Sequence, residues 1–205
     1  MITIIDYKMG NIGSIANMIK KVGGIFVIAS KPEELAKASK IILPGVGSFD
    51  YGITNLEKLG LIDILNERVL VKKVPILGIC LGMQIMTKSS EEGQKKGLGW
   101  INAETVKFNF GNNSIKMPHM GWNTINITKN SKLLKDMENR ENRFYFVHSY
   151  YVKCFNESDI LATTNYGGIN FVSIFGHENI LGVQFHPEKS HKFGMQLLKN
   201  FLENY

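Results

Sequence analysis

Arginine is nearly missing from this chain: Arg68, Arg140 and Arg143 are the only three in 205 residues. The formal charge of +6 therefore rests on lysines, and these are scattered with no dense basic block. Nucleic-acid recognition draws on clustered cations and on the forked contacts of arginine. The positive balance is read as composition, and no nucleic-acid partner is expected. Cysteine is scarce too. Cys80 and Cys154 are the only two, and no C-x-x-C occurs, which excludes a disulfide framework and a thiolate zinc site. The five histidines, His119, His148, His177, His186 and His191, include no pair at i, i+4, so no metal or other cofactor is expected. No apolar run approaches the ~18 residues of a membrane span. The opening MITIIDYKMGN has no basic region before a long apolar stretch and reads as a first strand, not a signal peptide. A reduced, cytoplasmic setting without membrane contact is the expectation.

Hydrophobic residues make up 44% of the chain and charged residues 20%, enough to bury a real core, and one domain over residues 1–205 is expected. Ile2–Ile5 is a buried strand. Asn11 caps a helix in which Ile12, Ile15, Ile19 and Val22 recur at helical spacing, and Gly23-Gly24 ends it. A second strand follows at Ile25–Ala29. Ser30-Lys31-Pro32-Glu33 reads as a capping box opening a helix to about Ala38. Lys40–Leu43 is a third strand, running into Pro44-Gly45-Val46-Gly47-Ser48-Phe49, either a simple turn or an anion cradle. Asp50–Leu59 and Leu61–Lys73 carry helical periodicity, and Ile76–Ile79 is a fourth strand. Strands alternating with helices predict an α/β fold with a parallel sheet.

From Trp100 to Phe185 the chain turns strand-like: residues 100–108, 114–127, 143–155, 159–166, 169–175 and 180–185 are separated by turn signals, among them Gly111-Asn112-Asn113. Ser131–Met137 reads as a short helix. This half predicts a largely antiparallel section laid onto the parallel sheet, closed by an amphipathic helix over His191–Asn204.

The most informative stretch is VPILGICLGMQ at Val74–Gln84. A buried strand breaks sharply into a helix with a cysteine at the break. G-x-C-x-G matches the nucleophile elbow with sulfur in place of oxygen. Such a turn brings neighbouring chain close to the nucleophile, and glycine on either side avoids a Cβ clash. The sulfur then lies at a helix N-terminus, where free N–H groups and the dipole favour its anionic form. The Leu81 N–H is left aimed at a developing oxyanion. A thiol nucleophile needs a base that also returns a proton to the leaving group, and imidazole suits both tasks. His186 stands out because it ends a strand, precedes Pro187 and has Glu188 two residues on. In an extended segment those two side chains share a face, which lets the carboxylate hold the imidazole.

Four segments, PGVGSF (Pro44–Phe49), GICLGMQ (Gly78–Gln84), MPHMGWN (Met117–Asn123) and GVQFHPEKS (Gly182–Ser190), resemble the class I (triad) glutamine amidotransferases. With FVHSYY (Phe146–Tyr151), they are most similar to the glutaminase subunits of imidazole glycerol phosphate synthase. The resemblance spans essentially the whole chain. It implies the class I amidotransferase fold and a triad in which Cys80 attacks the carboxamide of glutamine, His186 carries the proton and Glu188 orients His186. It implies an oxyanion hole of backbone N–H groups at Val46 or Gly47 and Leu81, and a glutamine seat at Gln84, Ser149 and Tyr150. It also implies a heterodimer with a (β/α)₈-barrel cyclase that receives the ammonia through a channel for histidine synthesis. The PGVG segment would be the switch, by a peptide flip that Gly45 and Gly47 permit.

One departure bears on the partner. The family opening reads Asp-Tyr-Gly, and here Lys8 replaces that glycine in DYKMGN. Lys8 is expected near the partner face or the ligand edge of the sheet. Similar openings occur in glutaminases that feed a synthase amidinating a bacterial surface sugar, an alternative acceptor for the ammonia. A non-catalytic binding module is disfavoured because Cys80, His186 and Glu188 are all present. A cysteine peptidase would share the elbow and the histidine but not PGVGSF with MPHMGWN.

Overall fold

The computed structural model describes residues 1–111, 114–138 and 141–205, so Asn112 and Asn113 of the predicted Gly111-Asn112-Asn113 turn lie outside the described residues. The elements in order are β1 (Ile2–Ile5), α1 (Ile12–Lys21), β2 (Phe26–Ala29), α2 (Pro32–Leu35), β3 (Ile41–Leu43), α3 (Phe49–Lys58), α4 (Leu61–Asn66), β4 (Ile76–Ile79), α5 (Leu81–Gln84), β5 (Ala103–Lys107), β6 (His119–Ile127), β7 (Asn142–His148), β8 (Tyr150–Cys154), β9 (Ile160–Tyr166), β10 (Ile169–His177), β11 (Ile180–Val183) and α6 (His191–Asn204).

β2, β1, β3, β4 and β11 lie side by side and parallel. Their apolar runs are continuous because both faces are covered. Alternation sorts the side chains: Ile4, Ile42, Leu77 and Ile79 pack with Ile15 and Ile19 of α1 and Leu197, Leu198 and Phe201 of α6. Ile5, Ile41, Leu43 and Ile76 pack on the other face with Phe49, Ile53 and Leu56 of α3 and Leu61 and Leu65 of α4. Helices therefore cover the parallel section on both sides, a three-layer α/β arrangement. No helix among the described residues is long and apolar enough to cross a membrane.

The antiparallel section is not laid onto the parallel one as predicted. It continues the same sheet edge to edge, from β11 through β10, β9 and β6 to β7, while β8 pairs with β10 and carries β5 on its other side. The predicted strand over residues 143–155 is two strands with different partners: β7 pairs with β6, and β8 pairs with β5. The break falls at Ser149, where the chain passes the site. The predicted strand 114–127 starts only at His119. Ser131–Met137 contains a single 3₁₀ turn, Lys132–Leu134. α2 begins after Lys31, not Ser30. The capping carboxylate is Glu34, which accepts from the N–H groups of Ser30 (2.7 Å) and Lys31 (3.1 Å). α4 is shorter than Leu61–Lys73, because Glu67–Val71 relaxes into a π-helical turn.

Candidate active site

The carboxyl ends of β3, β4 and β11 meet at one edge of the parallel section, where open α/β sheets form their ligand crevices. Cys80 follows β4 directly and adopts φ 54°, ψ −110°, a strained conformation for a residue with a Cβ. Packing holds it there. The Cys80 N–H donates to Val183 O (2.8 Å), and the Cys80 carbonyl accepts from Met83 N–H (3.0 Å) and Gln84 N–H (3.1 Å). A Cβ at Gly78 would lie 2.7 Å from the Gly82 carbonyl, and one at Gly82 would overlap the Leu43 carbonyl. Both glycines of the G-x-C-x-G pattern are therefore required by close backbone approach, as the elbow predicts. The helix after Cys80 is a single turn, Leu81–Gln84, shorter than expected. The macrodipole contribution shrinks accordingly, and the unpaired N–H groups of the first turn remain the main positive feature.

His186 sits at the end of the β11 segment, nearly fully buried. Its Nδ1 is 2.8 Å from Glu188 Oε1, and both side chains are 2% exposed. The pairing arises differently from the prediction. Pro187–Lys189 forms a 3₁₀ turn, not extended chain, and the turn swings Glu188 back onto the ring. β7 pins both ends of this turn. His186 N–H donates to Tyr145 O (2.9 Å), and the Ser190 hydroxyl accepts from Tyr145 N–H (3.0 Å) while donating to His186 O (2.6 Å). His186 Nε2 is buried without a hydrogen-bond partner among the described residues, and His186 lines the same cavity as Cys80. Burial opposes the charged ring, but the Cys80 sulfur and the Glu188 carboxylate outweigh it and lift His186 to about 10.

The cavity has a volume of about 310 Å³. Eight of the nine predicted site residues border it: Val46, Gly47, Cys80, Leu81, Gln84, Ser149, Tyr150 and His186. Glu188 stands behind His186. Gly47 has φ 109°, the left-handed region suited to glycine, whereas Gly45 does not. Gly45 is instead required by space, because a Cβ there would lie 2.7 Å from both Gly82 N and the Tyr7 hydroxyl. The opening motif braces this loop. Tyr7 Oη–H donates to Pro44 O at 2.6 Å, and Gly10 lets the chain pass against Pro44. Lys8 takes φ 67°, the left-handed region that the family's glycine would enter freely. Asp6 steadies it by accepting from Lys8 N–H (3.0 Å) and Nζ (3.3 Å).

Sequence reasoning missed Glu92, Gln184 and His148. Glu92 borders the cavity from a polar loop that carries no periodic signal. Its Oε2 accepts from Phe49 N–H (2.8 Å), and Asp50 ties the loop down by accepting from the N–H groups of Gln94 and Lys95, each at 2.9 Å. Gln184 is wholly buried two residues before His186, and its Nε2 points at Cys80 Sγ at 3.8 Å. A polar residue in an otherwise apolar strand end was the available signal.

The sequence model described as "Glutamine amidotransferase class-I" matches residues 3–205. The chain belongs to the class I glutamine amidotransferase family. It is 59% identical over 204 residues to "Imidazole glycerol phosphate synthase subunit HisH 2" of Methanococcus maripaludis, covering 99% of each protein. It is 48% identical over 203 residues to the protein of the same name in Pseudomonas aeruginosa, again covering 99% of each. Among solved structures, a glutamine amidotransferase from Thermotoga maritima superposes with a TM-score of 0.69 at 18% identity, over 99% of this chain and 96% of that one. This amidotransferase therefore has the glutaminase fold of its family, with a cysteine, a histidine and a glutamate brought together at its cavity.

Proposed function

We propose that this amidotransferase is the glutamine-hydrolysing subunit of imidazole glycerol phosphate synthase, with Cys80, His186 and Glu188 as its triad. One observation carries the reading: His186 is held through Nδ1 by Glu188, keeps a buried Nε2 with no hydrogen-bond partner among the described residues, and lines the same cavity as Cys80. Cys80 Sγ, its proton already passed to His186 Nε2, attacks the carboxamide carbon of glutamine. The tetrahedral oxyanion is met by backbone N–H groups of Leu81 and of Val46 or Gly47. His186 returns the proton to nitrogen, the C–N bond breaks and ammonia leaves. Water then attacks the thioester, giving its proton to His186, and expulsion of the sulfur releases glutamate. Gln84, Ser149 and Tyr150 seat the substrate, and the Glu92 carboxylate supplies the negative charge that an α-ammonium group needs.

Ammonia lost to water is wasted, so a partner must cover the exit. Val46, Met117, Met120 and Trp122 are exposed on the segments that carry cavity-lining Gly47 and Pro118. An apolar rim of this kind fits a protein partner, here the (β/α)₈ cyclase subunit in a heterodimer, acting in the cytoplasm. Treatment with a γ-electrophilic glutamine analogue, followed by peptide mapping, tests the site. The expected adduct is on Cys80 alone, reduced by glutamine and absent in Cys80→Ala. Labelling of Cys154 instead, or labelling indifferent to glutamine, would contradict the assignment.

Lys8 supports a second reading of the partner. It is exposed in the segment that braces the Pro44–Gly47 loop, where the family opening has glycine. The same glutaminase would then serve a synthase that amidinates a surface sugar. Stimulation of glutamate release by one synthase and not the other decides between them.

A further inference from the structure

His119 opens β6 and His148 closes β7, and the register sets them opposite one another. His119 Nδ1 is 3.0 Å from His148 Nε2, and His148 Nδ1 is 2.8 Å from the carbonyl oxygen of Tyr150. A carbonyl can only accept, so His148 carries its proton on Nδ1. His148 Nε2 must then accept, which makes His119 Nδ1 the donor. The other His119 nitrogen, Nε2, accepts from Asn123 Nδ2 at 3.2 Å, and the same amide also donates to Asn165 O at 2.9 Å. The direction of every bond is thereby fixed. Both rings are neutral, because burial pushes His119 down to about 4 and His148 down to about 3. Stacking of His119 on Phe146 and Tyr166, with centroids at 4.8 and 4.0 Å, keeps its ring from turning.

The chain of bonds continues toward the nucleophile. The Tyr150 carbonyl accepts a second bond, from Gln84 Nε2 at 3.0 Å. The other hydrogen of that amide goes to Gln184 Oε1 at 3.1 Å, and Gln184 Nε2 points at Cys80 Sγ. Neither ring can serve as a base for Cys80, since every lone pair and N–H of the two is already engaged.

We propose that His119 and His148 are positioning residues for glutamine hydrolysis: through the Tyr150 carbonyl they fix the Gln84 amide beside the substrate and, through Gln184, the placement of Cys80 Sγ. The proposal rests on Cys80 being the nucleophile. A buried polar chain of this kind rigidifies as a unit, so its members are non-additive.

The test is glutamate release, with the synthase subunit present, by the wild type, His148→Phe, His148→Asn, Gln84→Ala and the double variant His148→Phe/Gln84→Ala. His148→Phe removes the donor to Tyr150 and is expected to lower kcat/KM about tenfold, mainly through KM. His148→Asn keeps a donor there and recovers most of that loss. In the Gln84→Ala background, His148→Phe adds less than about twofold. Full additivity, or a folded His148→Phe enzyme equal to the wild type, overturns the proposal. If His148→Phe does not fold, Asn123→Ala takes its place in the cycle with Gln84→Ala and is judged by the same non-additivity. Nitrogen NMR of labelled histidine gives a readout free of turnover: both rings should be neutral Nδ1–H tautomers at neutral pH. A ring protonated on Nε2 overturns the relay even in an active enzyme. An inactive wild type with the expected tautomers would count against Cys80 and not against the relay.

Discussion

Close approach between backbones decides which residues the elbow accepts. Gly82 passes directly over the Leu43 carbonyl, so Gly82→Ala must push α5 away from β3. Overpacking of this sort costs about 1–3 kcal/mol or more. A lowered urea midpoint with loss of glutaminase activity is expected, and unchanged stability would mean that the turn is laxer than described. In the proposed triad Glu188 acts by its charge and geometry together. Glu188→Gln retains the size but loses the charge that favours the imidazolium, and its amide can present N–H where Nδ1–H needs an acceptor. A fall in kcat of roughly 10²–10⁴ with little change in KM is expected from steady-state kinetics. Gly45→Ala is a poor probe of a peptide flip, because its Cβ would crowd Gly82 N and the Tyr7 hydroxyl before any flip occurs.

At the scale of the element, the Pro44–Gly47 loop is held from outside by the opening motif. Tyr7→Phe removes the donor to Pro44 O, and burial, with the Cys80 sulfur adding to it, already holds that hydroxyl well above its usual range. A loss of about 0.5–1.5 kcal/mol in unfolding free energy, with a larger effect on kcat than on KM, is expected. An effect on KM alone would place the brace at the substrate seat. Elements of strong period were legible from sequence: β1, β4, α1 and the whole of α6 fall where apolar spacing puts them. Elements whose ends depend on partners were not. The split at Ser149 between β7 and β8 leaves no mark in an unbroken run of strand-forming residues, because it is set by which neighbouring strand each half meets. The grouping of Cys80, His186 and Glu188 was legible because these residue types sit in a rare local pattern. Glu92 was not, since a loop residue reaches the cavity only after Asp50 has folded the loop back. Gln184 and the His119–His148 pair lay inside motifs already in view, but their role is a property of distances between segments.

For the whole molecule, buried histidines set the response to pH. His119 and His148 have folded values near 4 and 3, below the unfolded value of about 6.5, so the unfolded chain binds more protons in that window. Their contribution to stability is present above about pH 6.5 and is lost as pH falls toward 4. His186 runs the other way. Its folded value of about 10 exceeds the unfolded one, so its contribution is present below about pH 6.5 and is lost as pH rises through 10. Unfolding free energy measured against pH should therefore peak near pH 6.5. His186→Ala should flatten the alkaline limb alone, and a wild-type profile that is level from pH 4 to 10 would contradict these assignments. The same sheet joins the parallel half, which supplies Cys80, to the antiparallel half, which supplies His148 and Tyr150. The cavity is completed where they meet.

The most direct test is glutamate release from glutamine by the purified chain alone, with the histidine-pathway cyclase, and with that cyclase and its ribonucleotide ligand, with Cys80→Ala as control. A large rise only in the third mixture, abolished in Cys80→Ala, is the predicted result. Release that persists in Cys80→Ala would contradict the triad, and a Cys80-dependent rate equal in all three mixtures would contradict this synthase as the partner.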